Sequence, residues 1–382
     1  MKMKIYSLQE VATIIAGQSP NSKYYNTDGN GIPFFQGKTD FGDLYPKVRV
    51  YCTNPIKIAE KNDILLSVRA PVGPTNLSPG KVCIGRGLTA IRPNDKIRLK
   101  YLLYFFRYFE TQLQRQGTGT TFKAITQNVI KNIKIPVPSL PEQEKIVARI
   151  EELFSELDKA VAVLKTTKQQ LAVYRQAVLK EAFEKCDKTV TVESVCQHVT
   201  DGDHMPPPKT PSGIPFIMIS NIDNQVINWT NTAYVEQDYY NHIDNKRRPC
   251  KGDVLYTVTG SYGIPVLIDF EKQFCFQRHI ALLRPNERIN QKFLYYVMQE
   301  PGVYAQATKG ATGTAQKTVG LAVLRKMKIP YIESISTQLA IVKEVEARMS
   351  TCDSIEKTVD TALQQAEAMR QSILKQAFEG RL

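Results

Sequence analysis

The segment YRQAVLKEAFEKCD, Tyr174 to Asp187, returns at the end of the chain as MRQSILKQAFEGRL, Met369 to Leu382. An internal repeat constrains a fold more than any local propensity, because both copies must be built to one plan. The likeness extends upstream in unbroken order. GIPFFQGKTDF (31–41) parallels GIPFIMISNID (213–223), NDILLSVRAPVG (62–73) parallels GDVLYTVTGSYG (252–263), and GTGTTFKAITQNVIKNIKIP parallels GATGTAQKTVGLAVLRKMKIP. A long helical pattern follows each time, so the chain is a duplicated unit of about 190 residues.

Within each copy, short apolar runs such as DILLSV, DVLYTV and IALLRP are bounded by Gly, Pro, Asn and Asp and read as strands and turns. KYLLYFFRYFETQLQ and QKFLYYVMQEPGVYAQ read as helices. The long helices carry the strongest signal. Ser139 with Glu142 forms a capping box, and Pro141 sits in the first turn. Ile150, Leu157, Leu164, Leu171 and Val178 recur every seven residues, with Ile146, Leu153, Ala160 and Tyr174 between them. Ile341, Val345, Cys352, Ile355, Val359, Leu363, Ala366, Met369 and Ile373 form the matching stripe, the pattern of a coiled-coil seam. The expected fold is α+β: two mixed α/β domains, 1–138 and 187–333, and two long helices, 139–186 and 334–382, paired as an antiparallel coiled coil in an internal pseudo-two-fold repeat. The repeated helix ends are expected to turn Arg175, Gln176, Lys180 and Glu184, with Phe183, and Arg370, Gln371, Lys375 and Glu379, with Phe378, outward toward two copies of one partner.

The formal net charge of +13 is unevenly placed. Residues 1–140 hold 20 Lys/Arg against 8 Asp/Glu, whereas 141–185 hold 8 of each. A basic globular region beside a neutral helix points to a polyanion-binding domain joined to a protein-binding element. The seven cysteines form no C-x-x-C pair and read as reduced thiols. With no apolar run near the roughly 18 residues of a membrane span and no cleavable leader, the expected location is cytoplasmic.

At KIPVPSLPEQEKIVARI (134–150), RQAVLKEAF (175–183) and RQSILKQAF (370–378), the chain resembles the specificity subunits of type I restriction-modification systems. The second junction, KIPYIESISTQLAIV, departs from that pattern by lacking the second Pro and the Glu while keeping Gln338 and Ile341. The resemblance implies a non-catalytic reader of double-stranded DNA whose two target-recognition domains each read half of a split site. It further implies that the helices set the gap and dock two methyltransferase subunits. Those partners would bind S-adenosylmethionine and methylate adenine, and motor-nuclease restriction subunits would join the complex.

The chain's own chemistry agrees with a non-enzyme. It has no Asn/Asp-Pro-Pro-aromatic loop to hold a flipped adenine, no phosphate loop and no Glu-x-Lys nuclease pattern. His204 beside Asp201 and Asp203 reads as a turn-rich loop rather than a metal cluster. No metal and no cofactor is expected in this chain. DNA contacts are expected from Gln36, Lys38, Arg69, Arg86 and Lys123 in the first domain. In the second they are expected from Ser220, Asn221, Lys246, Arg247, Arg248, Ser261, Tyr262, Arg278 and Lys317. The Lys246–Arg248 run fits a solvated turn as well as a phosphate contact. Two rival readings remain: a self-sufficient DNA-modifying enzyme, and a coiled-coil protein scaffold without sequence-specific DNA binding.

Overall fold

Strand alternation sets the layers of the first domain. The computed structural model describes residues 4–117, 124–205 and 207–382, and the chain divides into two units, Met1–Leu164 with Thr361–Leu382 and Lys165–Asp360. In the first unit the strand Ile64–Ser67 is buried along its whole length. Successive side chains point to opposite faces, so Ile64 and Leu66 enter one core with Ile91, Tyr101 and Phe105, while Leu65 enters another with Phe35, Ile84 and Leu88. The uninterrupted apolar run DILLSV is thus a strand covered on both sides. It lies in an antiparallel four-stranded sheet ordered Ala12–Ala16, Leu88–Pro93, Ile64–Ser67, Thr75–Leu77. A five-stranded sheet packs beyond the second core, with Ile32–Phe35 running parallel to Val82–Ile84. The helix Leu99–Gln116 covers the first core, and Lys4–Ser7 pairs with Lys134–Val137 beside the entry to the first long helix.

The second unit repeats this plan. Its four-stranded antiparallel sheet is ordered Cys196–Asp201, Ile280–Pro285, Val254–Thr257, Pro265–Leu267. Val254 and Tyr256 face one core and Leu255 the other. Lys188–Thr191 pairs with Lys328–Tyr331 as Lys4–Ser7 does with Lys134–Val137. The copies diverge in the outer sheet, which here has three strands instead of five.

The long helices run from Leu140 to Glu184 and from Ile335 to Phe378. The expected capping box forms: the Ser139 N–H and hydroxyl both donate to Glu142 Oε2, at 3.0 and 2.8 Å. Within each unit the two helices lie antiparallel. In the first, Arg370 pairs with Asp158. In the second, Lys168 pairs with Asp360 (2.7 Å), Arg175 with Asp353 (2.7 Å) and Lys185 with Glu344 (2.6 Å). Ile150, Leu171, Val178, Val345, Cys352, Val359 and Ile373 are buried, as a seam requires.

Ala160, Tyr174, Ile355 and Met369, expected on the stripe, are exposed instead. The strict seven-residue line itself stays covered, with Ile150, Leu171 and Val178 buried and Leu157 and Leu164 half-buried, so the departures in the first helix fall at the intervening positions. Near the helix ends the buried set becomes Val178, Leu179, Ala182, Phe183 and Ile373, Leu374, Ala377, Phe378, because there the helix also covers a domain core. Among the described residues, no helix is long and apolar enough to cross a membrane.

Candidate nucleic-acid interface

Four of the five residues expected to contact DNA in the first domain come together. Gln36, Lys38, Arg69 and Arg86 line one open cleft of about 270 Å³, with Ser19, Thr39, Ser67 and Gly87. The fifth, Lys123, lies outside the described residues. The strand Ile32–Phe35 ends at Gln36, and Lys38–Asp40 forms a single 3-10 turn. Asp40 Oδ2 accepts the N–H groups of Gln36 and Gly37 at 2.8 and 3.4 Å, which fixes that turn. From the opposite side, the Arg86 N–H donates to Ser19 Oγ at 3.2 Å, and the Val68 N–H donates to the Gly87 carbonyl at 2.9 Å. A Cβ on Gly87 would stand 2.1 Å from the Gln36 carbonyl oxygen, so only glycine lets the two loops meet. Ser67 Oγ donates to the Arg69 and Pro71 carbonyls at 3.2 and 2.9 Å, holding the loop that carries Arg69.

The side chains of Gln36, Lys38, Arg69 and Arg86 are all exposed. Among the described residues, none of these three cations is in an ion pair. Fixed backbones carrying exposed cations and one amide suit an anionic backbone and the acceptor-rich edges of bases. Sequence reasoning missed Ser19 and Thr39, whose only signal was their adjacency to glycine-rich turns.

The second unit has a cleft of about 380 Å³ at the corresponding place, lined by Asp201, His204, Thr259, Arg278, His279, Gln316 and Thr318. Its chemistry is mixed. His204 Nε2 lies 2.8 Å from Asp201 Oδ2, and Arg247 Nη2 lies 3.5 Å from Asp201 Oδ1. Burial, and then the neighbouring Arg278 charge, hold His279 below the usual histidine pKa. Arg278 was expected here; His279, which stands where the first copy has Gly87, was missed.

The remaining expected residues of this domain scatter. Ser220 and Lys246 are exposed on the 3-10 turns Ile219–Asn221 and Asn245–Arg247, and Ser261 and Lys317 are exposed on loops. Asn221 is 5% exposed, its side chain accepting the Met218 N–H at 3.0 Å and donating to the Asn228 carbonyl at 3.2 Å. Its amide is consumed in fixing a turn, which corrects the expectation that it contacts DNA. Arg248 is likewise structural: its guanidinium covers the Tyr240 ring and donates to the Asn241 carbonyl. Tyr262 stacks on Tyr304 with ring centroids 5.9 Å apart.

The helix ends require a second correction. Phe183 and Phe378 are 3% and 6% exposed and belong to the domain cores. Phe378 meets Tyr101, Phe105 and Tyr108 with centroids 5.1–5.5 Å apart, and Phe183 meets Phe293 at 5.3 Å. Arg175 and Arg370 are committed to Asp353 and Asp158. Their repetition follows from packing. Gln176, Lys180, Glu184, Gln371, Lys375 and Glu379 do remain exposed.

A duplicated α+β domain, each copy beside a long helix and the first carrying a cationic cleft, defines a class of recognition proteins built by internal repetition. This chain belongs to the type I restriction modification DNA specificity domain family, whose model matches residues 1–171 and 189–365. It is 40% identical over 167 residues to a type I restriction enzyme MjaX specificity subunit of Methanocaldococcus jannaschii, covering 44% of this chain and 38% of that one. It is 24% identical over 318 residues to the type I restriction enzyme EcoBI specificity subunit of Escherichia coli, covering 75% of this chain and 66% of that one. The matches therefore span less than two thirds of these relatives' lengths. A solved chain from a study of type I restriction-modification complex assembly shares the fold over 100% of both chains, at a TM-score of 0.74 and 19% identity.

Proposed function

We propose that this chain reads DNA sequence for a type I restriction-modification complex, each unit recognising one half of a split site. The observation that carries this reading is the cleft of the first unit, where Gln36, Lys38, Arg69 and Arg86 are presented by fixed loops with no carboxylate paired to them among the described residues. The long helices set the gap between half-sites. Their exposed repeated residues, Gln176, Lys180 and Glu184 with Gln371, Lys375 and Glu379, dock two methyltransferase subunits that bind S-adenosylmethionine and methylate adenine. Motor-nuclease subunits join that complex in the cytoplasm.

Mapping adenine methylation in cells expressing a cognate methyltransferase subunit, with and without this chain, tests the reading. A split motif present only when both proteins are made is expected. Co-purification without any methylated motif would count against recognition, and failure to associate would favour the coiled-coil scaffold. Steep loss of DNA binding in log salt, as counterions are released, separates a DNA reader from a scaffold independently.

A further inference from the structure

Gln143 and Gln338 occupy the first turns of the two long helices, and each is 0% exposed. Gln143 Oε1 accepts the Arg98 N–H at 2.8 Å, and Nε2 donates to the Lys96 and Pro138 carbonyls, both at 3.0 Å. Gln338 makes the same three bonds in the second unit: Oε1 accepts the Asn290 N–H at 2.8 Å, and Nε2 donates to the Arg288 and Ile332 carbonyls at 3.0 and 2.8 Å. Every partner is a backbone group. The surrounding side chains have therefore been free to diverge, Lys96 to Arg288, Arg98 to Asn290 and Pro138 to Ile332, while the glutamine has not. The neighbouring Pro141 and Glu142 became Ser336 and Thr337 over the same interval.

The bonded loops lead directly to the clefts. Lys96 and Arg98 follow the strand Leu88–Pro93, whose other end adjoins Arg86 and Gly87. Arg288 and Asn290 follow Ile280–Pro285, whose other end adjoins Arg278 and His279. Arg98 and Asn290 are also the N-caps of the helices Leu99–Gln116 and Gln291–Val297. Apolar burial is non-directional and would tolerate rotation of a domain on its helix. Three hydrogen bonds that satisfy a fully buried amide admit one orientation.

We propose that Gln143 and Gln338 are positioning residues that fix the angle at which each DNA-reading cleft is mounted on the helix pair, and so hold the gap between half-sites to one length. This rests on the split-site reading above. The amides touch no base; they act through the loops that carry the clefts.

The test is selection of a randomised duplex pool by the full chain assembled with its methyltransferase subunits, comparing wild type with Gln143→Met and Gln338→Met. Methionine keeps the length of the side chain and removes all three bonds. The expected result is that both half-site sequences survive while neighbouring gap lengths enter the selected pool, the preference for the original gap falling roughly tenfold. Gln143→Glu, which keeps the acceptor toward Arg98 and loses both donors, is expected to broaden the gap as well and serves if the methionine variant does not fold. An unchanged gap profile in variants that are merely less heat-stable would overturn the proposal, as would altered base identities at an unchanged gap. A wild-type complex that selects no split motif would remove the underlying reading and this proposal together.

Discussion

Arg92 grips Asp63 with two hydrogen bonds of 2.8 Å, Nε to Oδ1 and Nη2 to Oδ2, on a carboxylate whose side chain is 2% exposed. Arg284 grips Asp253 in the same way, at 2.9 and 2.8 Å. Each aspartate also accepts a backbone N–H from the turn before its strand, Glu60 or Cys250, at 2.8 Å. The pair thus ties that turn to the neighbouring strand of the sheet. Removing the arginine strands a buried carboxylate. Arg284→Ala is expected to cost about 3 kcal/mol in urea unfolding. Arg92, whose side chain is 42% exposed, is partly screened, and its removal should cost about 1–2 kcal/mol. Losses of under about 0.5 kcal/mol in both variants would show that solvent reaches these carboxylates.

Phe378 fills a ring cluster formed by Tyr101, Phe105 and Tyr108. Truncation to alanine leaves a cavity that close-packed neighbours refill only in part, so Phe378→Ala should destabilise the first unit by about 3–5 kcal/mol. Lys375→Ala, three residues earlier and exposed, should stay within about 0.5 kcal/mol. Thermal unfolding of the two variants side by side separates core from docking surface, because a partner-binding phenylalanine would leave the isolated chain's stability nearly unchanged.

The repeat, the strands flanked by turn residues and both long helices were legible because each rests on local periodicity or capping chemistry. Gln36, Lys38, Arg69 and Arg86 were legible as a set because glycine-rich loops between strands project their side chains to one end of the sheet. Asn221 and Phe378 were misread for one shared reason. Whether a polar or aromatic side chain faces solvent depends on what another segment brings to it, here the Asn228 carbonyl and the helix Leu99–Gln116, and no local pattern encodes that. The bonds of Gln143 and Gln338 were invisible because two of each amide's three backbone partners lie some 45–50 residues away.

Glu142 accepts two hydrogen bonds from Ser139, and these hold its carboxyl below the ordinary glutamate value of 4.5. A carboxylate whose pKa is depressed on folding adds stability above its unfolded value and loses it as pH falls through the lower, folded value. Glu142→Gln should therefore be less stable than wild type above pH 4.5, with the difference closing under more acid conditions. Paired thermal unfolding across pH 3–6 measures this. A difference independent of pH would mean that the charge plays no part in the cap.

Arg69 and Arg86 face one cleft with Lys38, yet guanidinium and ammonium groups recognise DNA differently. A guanidinium can bond guanine O6 and N7 together, whereas an ammonium acts as a point charge toward phosphate. Arg69→Ala is expected to weaken binding of the assembled complex by about 1–3 kcal/mol on its cognate site. On DNA with the first half-site scrambled it should change little, and its effect should not depend on the second half-site. Lys38→Ala should weaken all sequences alike and reduce the slope of log affinity against log salt by about 1. Binding isotherms over a salt series, on cognate and half-scrambled duplexes, distinguish the two. Equal loss on every duplex for Arg69→Ala would reassign Arg69 to the phosphates and leave Arg86 and Gln36 as the base-facing groups of the cleft.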